Sequence, residues 1–175
     1  LRELPAHRTL AIFFLSFTAF MSGLMAVIVF ASLFGQNVLH LTQSENIMLF
    51  AALQITSTLG ALGFGLLQDR VGAKPSLVMS LLMWLIVSVW AAYCRTKMEF
   101  FLIGGIAGFA MGSLQATSRA VVASLTPPGR SGGFFGFWGL FGKLGAVIGP
   151  LAMGALATLL GYRTAALLNG IFFLL

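Results

Sequence analysis

The chain has 175 residues, of which 59% are hydrophobic and only 8% are charged, and its mean hydropathy is +1.00. Soluble domains carry about a quarter of charged residues, so this composition excludes a water-soluble domain and indicates a protein that crosses a membrane several times. The net charge is +6, but the basic residues are scattered among short polar stretches. Such scatter orients a membrane protein and does not predict a nucleic-acid partner.

The cysteine content and the two ends of the chain give weaker information about function than the composition does. Cys94 is the only cysteine, so no disulfide can form within the chain. No signal peptide is expected, because residues 1–8 are polar and the first apolar run is too long for one. The chain begins without Met and ends inside an apolar run at Leu175, so we expect it to be a piece of a longer protein.

Six apolar segments have the character of membrane spans, which need about 20 mostly apolar residues each. A capping pattern at Ser44 precedes the second segment, Pro75 precedes the third, and Pro127-Pro128-Gly129 ends the fourth. The predicted helices cover residues 10–34, 47–67, 76–93, 100–125, 134–160 and 164–175, the last incomplete.

Basic residues predict the orientation. The side that holds the N-terminus and the 68–75 loop carries Arg2, Arg8, Arg70, Lys74 and Arg130. The opposite side carries Arg95, Lys97 and Arg163. Because positive charge is enriched on the cytoplasmic side, we expect the N-terminus and the 68–75 loop in the cytoplasm of a cell whose inner membrane holds this multi-pass protein.

Two stretches repeat one another. GLLQDRVGAK (65–74) ends the second predicted span and GALATLLGYR (154–163) ends the fifth. An ungapped alignment pairs Gly65 with Gly154, Leu67 with Leu156, Gly72 with Gly161, and Lys74 with Arg163. The copies are three helices apart, an odd number, so they lie on opposite membrane faces. This spacing predicts an inverted 3+3 helix repeat.

The first copy resembles the signature loop of the major facilitator superfamily. The matching residues are Gly65, Leu67, Asp69, Arg70, Gly72 and Lys74, whereas Gln68 and Ala73 depart from the pattern. We expect Gly72 to permit a tight turn, the basic residues to meet lipid headgroups, and Asp69 to cap the positive N-terminus of a neighbouring helix. The resemblance implies that this neighbour belongs to the other half of a transporter.

Residues 112–150 resemble the C-terminal half of the vacuolar amino-acid effluxer family and its bacterial relatives. The matching positions are Gly112, Gln115, Ala116, Ser118, Arg119, Pro127, Pro128, Gly129, Phe134, Phe135, Gly136, Phe137, Gly142, Lys143, Gly149 and Pro150. The resemblance covers the whole chain, residues 1–175, as a C-terminal transmembrane half without its N-terminal half. The first helix reads Phe20-Met21-Ser22-Gly23, without the carboxylate common there in the family, so no ion-coupling role is carried over to it.

This resemblance implies an all-α membrane protein, the six-helix half of a major facilitator fold. It implies a secondary active transporter that moves a small polar solute, an amino acid, by alternating access. The partners expected are the lipid bilayer, the small-molecule substrate and the N-terminal half of the same transporter. A passive channel or facilitator, and a non-transporting membrane module when the half is isolated, are the alternative functions.

No enzyme signature is present. GFWGLFGK imitates a phosphate-binding loop, but Phe137 stands where the first glycine belongs and Leu144 replaces the Ser or Thr. His7 and His40 lie outside the spans, and no span contains an aspartate. We therefore expect no catalytic residue, no metal site and no cofactor.

Lys143 is the main candidate for a substrate contact. It lies about nine residues into the fifth predicted span, roughly 13 Å deep, where charged side chains usually face a bundle interior or a water-filled cavity. Gly136, Gly139, Ala146 and Pro150 share its side of the helix, which we interpret as a close-packing, cavity-facing stripe. Gly149 and Pro150 predict a kink. A structural charge pair and snorkelling to the headgroups are the alternatives.

Five further polar residues are candidates for the cavity or substrate site: Gln115, Arg119, Ser22, Gln54 and Thr56. Arg119 is either a gate or ligand or an interfacial anchor, and the other four bind substrate or form interhelical hydrogen bonds. Gly108 and Gly112 are expected to pack against another helix. The third span, whose polar groups are serines, is expected to face lipid.

No complete span holds a carboxylate. The countercharge of Lys143 and Arg119 must therefore come from the missing half, the substrate or water.

Overall fold

The computed structural model describes residues 8–127 and 129–174. Across these ranges the chain is helical, with no strand. Its helices are α1 (Arg8–Val38), α2 (Gln43–Val71), α3 (Ala73–Tyr93), α4 (Lys97–Leu125), α5 (Ser131–Leu160) and α6 (Tyr162–Asn169), followed by a 3-10 helix (Gly170–Phe173). Five of them, α1 to α5, are long and apolar enough to cross a membrane. The predicted all-α, multi-span architecture is confirmed.

Helix α2 begins earlier than the sequence predicts. Its N-cap is Thr42, not Ser44: the Thr42 hydroxyl accepts from the Glu45 N–H at 3.3 Å, and the Glu45 carboxylate accepts from the Thr42 N–H at 2.7 Å. The Ser44 prediction was wrong because the reciprocal capping box needs the acidic residue three positions after the cap. The same box, formed by Thr96 and Glu99, starts α4.

The connection between α2 and α3 is a single residue. Gly72 has φ 94° and ψ 159°, and its N–H donates to the Gln68 carbonyl at 2.9 Å. The predicted tight turn at Gly72 is confirmed, whereas the predicted 68–75 loop is helical on both sides of it. Helix α3 begins at Ala73, before Pro75, because a proline in the first turn of a helix lacks only an N–H that would have no intrahelical partner.

The same turn recurs between α5 and α6. Gly161 has φ 82° and ψ 161°, and its N–H donates to the Ala157 carbonyl at 3.1 Å. Gly161 follows Gly72 by 89 positions (161 − 72), the offset of the aligned sequence copies. Because three helices separate the two turns, they lie at opposite ends of the bundle. The inverted 3+3 repeat is therefore visible in the backbone.

Two helix pairs, α1 with α5 and α2 with α4, pack through glycine. A Cβ on Gly149 would collide with the Ser22 carbonyl of α1, and a Cβ on Gly112 would collide with the Ser57 carbonyl of α2. Small residues let backbones approach closely in lipid, where no hydrophobic effect draws helices together. In the repeat, α1 corresponds to α4 and α5 corresponds to α2. The α1–α5 and α4–α2 interfaces are therefore equivalent, and the fold contains the same interface twice.

The two copies meet near the centre of the bundle. Trp84 of α3 stacks on Phe173 of the 3-10 helix, with ring centroids 5.3 Å apart and planes 13° apart. These residues are again 89 positions apart (173 − 84), so equivalent side chains touch across the repeat. Ser76, Ser80 and Ser88 lie on the buried side of α3. Beyond its first turn, the other side of α3 exposes large hydrophobic groups such as Leu82 and Ile86, the surface that the sequence assigns to lipid.

The glycine contacts predict a contrast within α5. We expect Gly149→Ala to lower the free energy of unfolding by about 1–3 kcal/mol, because the added methyl group must push the Ser22 backbone away. Gly136→Ala is the matched control, since nothing lies within 4 Å of its added Cβ. Thermal unfolding of the detergent-purified variants measures the difference, and equal midpoints for the two variants would contradict the packing.

Candidate functional site

Lys143 lies on the open side of α5 and is exposed. Nothing lies within 4 Å of a Cβ added at Gly136 or Gly139 on the same side. No described backbone packs against this stripe, so its close-packing role stays a prediction. The glycines of α5 that touch another backbone are Gly145 and Gly149, which point toward α1. Lys143 precedes Gly145 by two residues, about 200° around a helix, and so faces away from that contact.

Pro150 lies inside α5, which continues on both sides of it as far as Leu160. Gly149 beside it is buried against the Ser22 backbone of α1. A helix interior loses one backbone hydrogen bond at proline, and the kink at this pair stays a prediction.

Arg119 is exposed and contacts an aromatic ring. Its guanidinium carbon lies 5.3 Å from the ring centroid of Trp138 in α5, within the range of a cation–π interaction. Trp138 itself stacks on Phe17 of α1, with centroids 5.5 Å apart. Arg119 thus connects α4 to an aromatic layer between α1 and α5. The sequence did not identify this contact, because nothing in a helical pattern tells which aromatic on another helix is opposite.

The remaining candidates divide into buried and accessible residues. Ser22 is 1% exposed and its hydroxyl donates to the Thr18 carbonyl at 2.7 Å. The Thr56 hydroxyl donates to the Ala52 carbonyl at 3.0 Å and packs against Gly108. Both hydrogen bonds lie within a single helix, so neither is the interhelical bond that the sequence predicts, and substrate binding by these residues stays a prediction. Gln115 is half-buried on α4.

Gln54 is exposed on α2 and occupies the position equivalent to Lys143 in the repeat (143 − 54 = 89). Each of these residues places a long polar side chain at an exposed position near the middle of its helix. The amide of Gln54 and the cation of Lys143 therefore occupy equivalent positions of the repeat, although the sequence predicted the two residues separately. Whether either binds substrate stays a prediction.

The signature-loop residues gather at one end of the bundle. Asp69, Arg70, Gly72 and Lys74 are exposed there, and nothing lies within 4 Å of a Cβ added at Gly65. Asp69 makes no salt bridge with any other described residue. The ion pair that the structure does show is at the opposite end, where the Lys97 ammonium lies 2.7 Å from the Glu45 carboxylate and joins α4 to α2.

A partly open cavity of about 160 Å³ lies between the helices, toward the end that carries the Lys97–Glu45 pair. Its wall is almost entirely apolar and includes Phe34, Leu49, Trp84 and Phe100, and Gln54 is the one candidate residue that reaches it. Sequence reasoning missed this cavity. Residues from all six helices line it, so no single-helix pattern could have revealed it.

Metal ligands do not cluster in the described ranges, where no group of three His, Cys, Asp or Glu side chains could hold an ion. The acidic groups of these ranges lie near helix ends: Glu45 and Glu99 in first turns, and Asp69 two residues before the end of α2. The middle of each described span is therefore without a carboxylate, while Lys143 lies in the middle of α5.

Comparison with known proteins identifies the family. A family model described as "Vacuole effluxer Atg22 like" matches residues 1–175. The chain belongs to this family. The curated relatives are named as transporters and efflux pumps, together with autophagy-related protein 22, and none of those reported below is named as an enzyme.

Three relatives show the extent of the similarity. The chain is 25% identical over 169 residues to the uncharacterized MFS-type transporter YxiO of Bacillus subtilis, covering 97% of this chain and 39% of the relative. It is 26% identical to autophagy-related protein 22 of Saccharomyces cerevisiae, covering 72% of this chain and 26% of the relative. It is 32% identical to multidrug resistance protein MdtG of Proteus mirabilis, covering 69% and 31%. The chain spans less than half the length of these relatives.

Exposure on α5 predicts a labelling pattern. We expect a cysteine at position 143 (Lys143→Cys) to react with a membrane-impermeant, water-soluble thiol reagent if this side of α5 borders water. Ser22→Cys should stay unlabelled, because position 22 is buried between helices. Labelling is counted by mass spectrometry on protein in native membranes.

The native background suits this measurement. Cys94 is fully buried, and desolvation by burial raises the pKa of its thiol, so it contributes little thiolate. Equal labelling of positions 143 and 22 would contradict the placement of Lys143.

Proposed function

We propose that this protein is a secondary active transporter of the major facilitator type, which moves a small polar solute, an amino acid, across a membrane by alternating access. The observation that carries the proposal is Lys143, a cation exposed near the middle of α5 in a family whose relatives are named as transporters. Printed names such as autophagy-related protein 22 belong to those relatives. They support the substrate class here only through family membership.

The position of Lys143 argues for a polar contact. It lies roughly 18 Å from the Ser131 end of α5 and roughly 26 Å from the Leu160 end at 1.5 Å per residue. A charge at such depth costs several kcal/mol unless it meets water or a counter-charge. Because no described span offers a carboxylate at mid-depth, the α-carboxylate of a bound amino acid is a suitable counter-charge.

Arg119 differs from Lys143 in its surroundings, which supports the assignment of Lys143 to the substrate. Its guanidinium already contacts Trp138, whereas no described aromatic ring lies under the Lys143 ammonium. We therefore assign Lys143 to the substrate and Arg119 to the wall beside it. Gln115, one turn before Arg119 on α4, is positioned to donate or accept a further hydrogen bond.

Alternating access requires a second half. Rocking of two six-helix halves around a central site is the mechanism of such transporters, and the chain spans less than half the length of its relatives. We propose that the open stripe of Gly136 and Gly139 faces an N-terminal half of the same transporter, and that Asp69 caps one of its helices.

We place the protein in the inner membrane, with its N-terminus and the α2–α3 turn in the cytoplasm. Support comes from the end that carries Gly72, which exposes Arg70, Lys74 and Arg130, and from the enrichment of positive charge on the cytoplasmic side. The opposite end carries Arg95, Lys97 and Arg163, of which Lys97 is neutralised by Glu45.

Replacing Lys143 tests the proposal. In proteoliposomes that hold the full-length transporter under an imposed pH gradient, we expect Lys143→Met to lower kcat/KM for amino-acid transport about tenfold to hundredfold. This is the loss that corresponds to one charge-assisted hydrogen bond of about 1.5–3 kcal/mol. Transport of the decarboxylated analogue, which lacks the group that Lys143 would bind, should change little.

Lys97→Met is the matched control, because Lys97 lies at the end of α4 and pairs with Glu45. It should transport as the wild type does. Transport by Lys143→Met with unchanged carboxylate dependence would contradict the substrate role. Failure of the wild type to accumulate substrate against its gradient would instead favour a passive channel or facilitator.

A further inference from the structure

The end of the bundle that carries Arg163 is held by contacts between three helices. The Arg163 guanidinium of α6 donates to the Ala92 carbonyl of α3 at 3.0 Å. Its central carbon lies 6.0 Å from the ring centroid of Phe34 in α1, at the outer limit of a cation–π contact. The Asn37 amide of α1 donates to the Tyr162 hydroxyl of α6 at 3.3 Å. These five residues, which we call the Arg163 clasp, join the ends of α1 and α3 to the start of α6.

The clasp supplies a partner to the end of α3. Ala92 lies in the last turn of that helix, where carbonyl groups have no partner within the helix. It is 4% exposed, and the Arg163 guanidinium provides the missing donor, as basic side chains do at helix C-termini. The closed clasp therefore leaves this buried helix end with its hydrogen bond made.

The other copy of the repeat makes the same turn without this contact. Lys74 corresponds to Arg163 (163 − 74 = 89), and each follows its turn glycine, Gly72 or Gly161, by two residues. Lys74 is exposed and forms no side-chain hydrogen bond or salt bridge with another described residue. The turn between two helices therefore does not require a clasp.

The remaining parts of the clasp are also replaced in that copy. Ala123 corresponds to Phe34 (123 − 34 = 89), and Ala73 corresponds to Tyr162 (162 − 73 = 89). An alanine offers neither a ring to a cation nor a hydroxyl to an amide. The clasp is thus an addition at one end of a duplicated backbone, and the repeat alone does not explain it.

The apolar cavity and Cys94 lie beside the clasp. Phe34 and Tyr162 line the cavity, so the clasp forms part of its wall. Cys94 follows α3 directly and is fully buried. Burial raises the pKa of its thiol, and the Arg163 charge is close enough to oppose this rise in part. Movement of α6 away from α1 and α3 would widen the cavity and uncover the thiol.

Water can replace the contacts of the clasp. The Arg163 and Asn37 side chains are exposed, and exposed polar contacts gain little net free energy because water competes for the same groups. The α1–α5 interface differs, because Gly149 packs directly against the Ser22 backbone. The clasp can therefore loosen while the glycine-packed interface stays closed.

We propose that the Arg163 clasp is a gate at this end of the bundle. When it is closed, as in this structure, it holds the start of α6 against α1 and α3 and keeps water from Cys94. When it opens, the start of α6 moves away, and the cavity wall and Cys94 become accessible to water. The gate is separate from Lys143, and the inference holds whether or not the protein transports amino acids.

Cys94 reports the state of the gate without an added cysteine. In full-length protein in phosphatidylcholine nanodiscs, a membrane-impermeant maleimide should label Cys94 slowly, as followed by mass spectrometry of its peptide. Arg163→Gln removes the charged donor and should speed this labelling about tenfold, the low end for a hydrogen bond to a charged group. Lys74→Gln is the matched control, because it removes the equivalent charge at the other end, and Cys94 should then react as in the wild type.

A cross-link tests whether α1 and α6 separate. In the double variant Asn37→Cys and Tyr162→Cys, a short bismaleimide applied briefly should bridge the two exposed ends of the clasp. Bridging should slow the later labelling of Cys94 relative to the same variant before bridging.

A buried reporter separates gate opening from general unfolding. Ser22→Cys, combined with Arg163→Gln, should stay unlabelled at position 22, because the gate leaves the α1–α5 interface closed. General unfolding would expose positions 22 and 94 together.

Four outcomes would overturn the proposal. The first is equal labelling of Cys94 in Arg163→Gln and the wild type. The second is an equal increase in Lys74→Gln. The third is labelling of Cys94 that bridging of positions 37 and 162 does not slow. The fourth is parallel labelling of position 22. None of these depends on amino-acid transport, so this test and that of Lys143 fail separately.

Discussion

The structure depends on the contact between the glycines of one helix and the backbone of another. Gly149 lies against the Ser22 carbonyl of α1, and Gly112 lies against the Ser57 carbonyl of α2. Lipid is as apolar as the side chains, so helices in a membrane are held by close packing and not by exclusion of water. These two contacts fix which side of α5 and which side of α4 point inward. Every other exposed or buried position on those helices follows from them.

Lys143 is exposed because of the way α5 packs on α1. Because α5 uses Gly145 and Gly149 to meet α1, a residue about 200° away must face out of the bundle. Arg119 is exposed too, but Trp138 lies beneath it, so the two cations of this region have different surroundings. This difference supports the proposal that Lys143 contacts the substrate and that Arg119 belongs to the wall.

The inverted repeat copies a backbone plan without copying its contents. Gly72 and Gly161 make the same turn, and Trp84 and Phe173 meet as equivalents. The two ends nevertheless differ in side-chain packing: Phe14 stacks on Phe141 and Trp138 on Phe17 at one end, whereas an apolar cavity remains at the other. The duplicated backbone therefore carries different side-chain packing at its two ends.

The sequence by itself determined the five long spans, the Gly72 turn and the repeat. These depend on apolar runs, on a positive φ that suits glycine and on an internal alignment, which are all local or periodic. It misplaced the start of α2 at Ser44, by assigning the cap to the wrong residue. Only the tertiary structure decided which glycines of α5 pack, which ring Arg119 meets and where a cavity remains. Those features depend on the rotation of each helix about its axis and on the helix opposite, and a single-helix pattern contains neither.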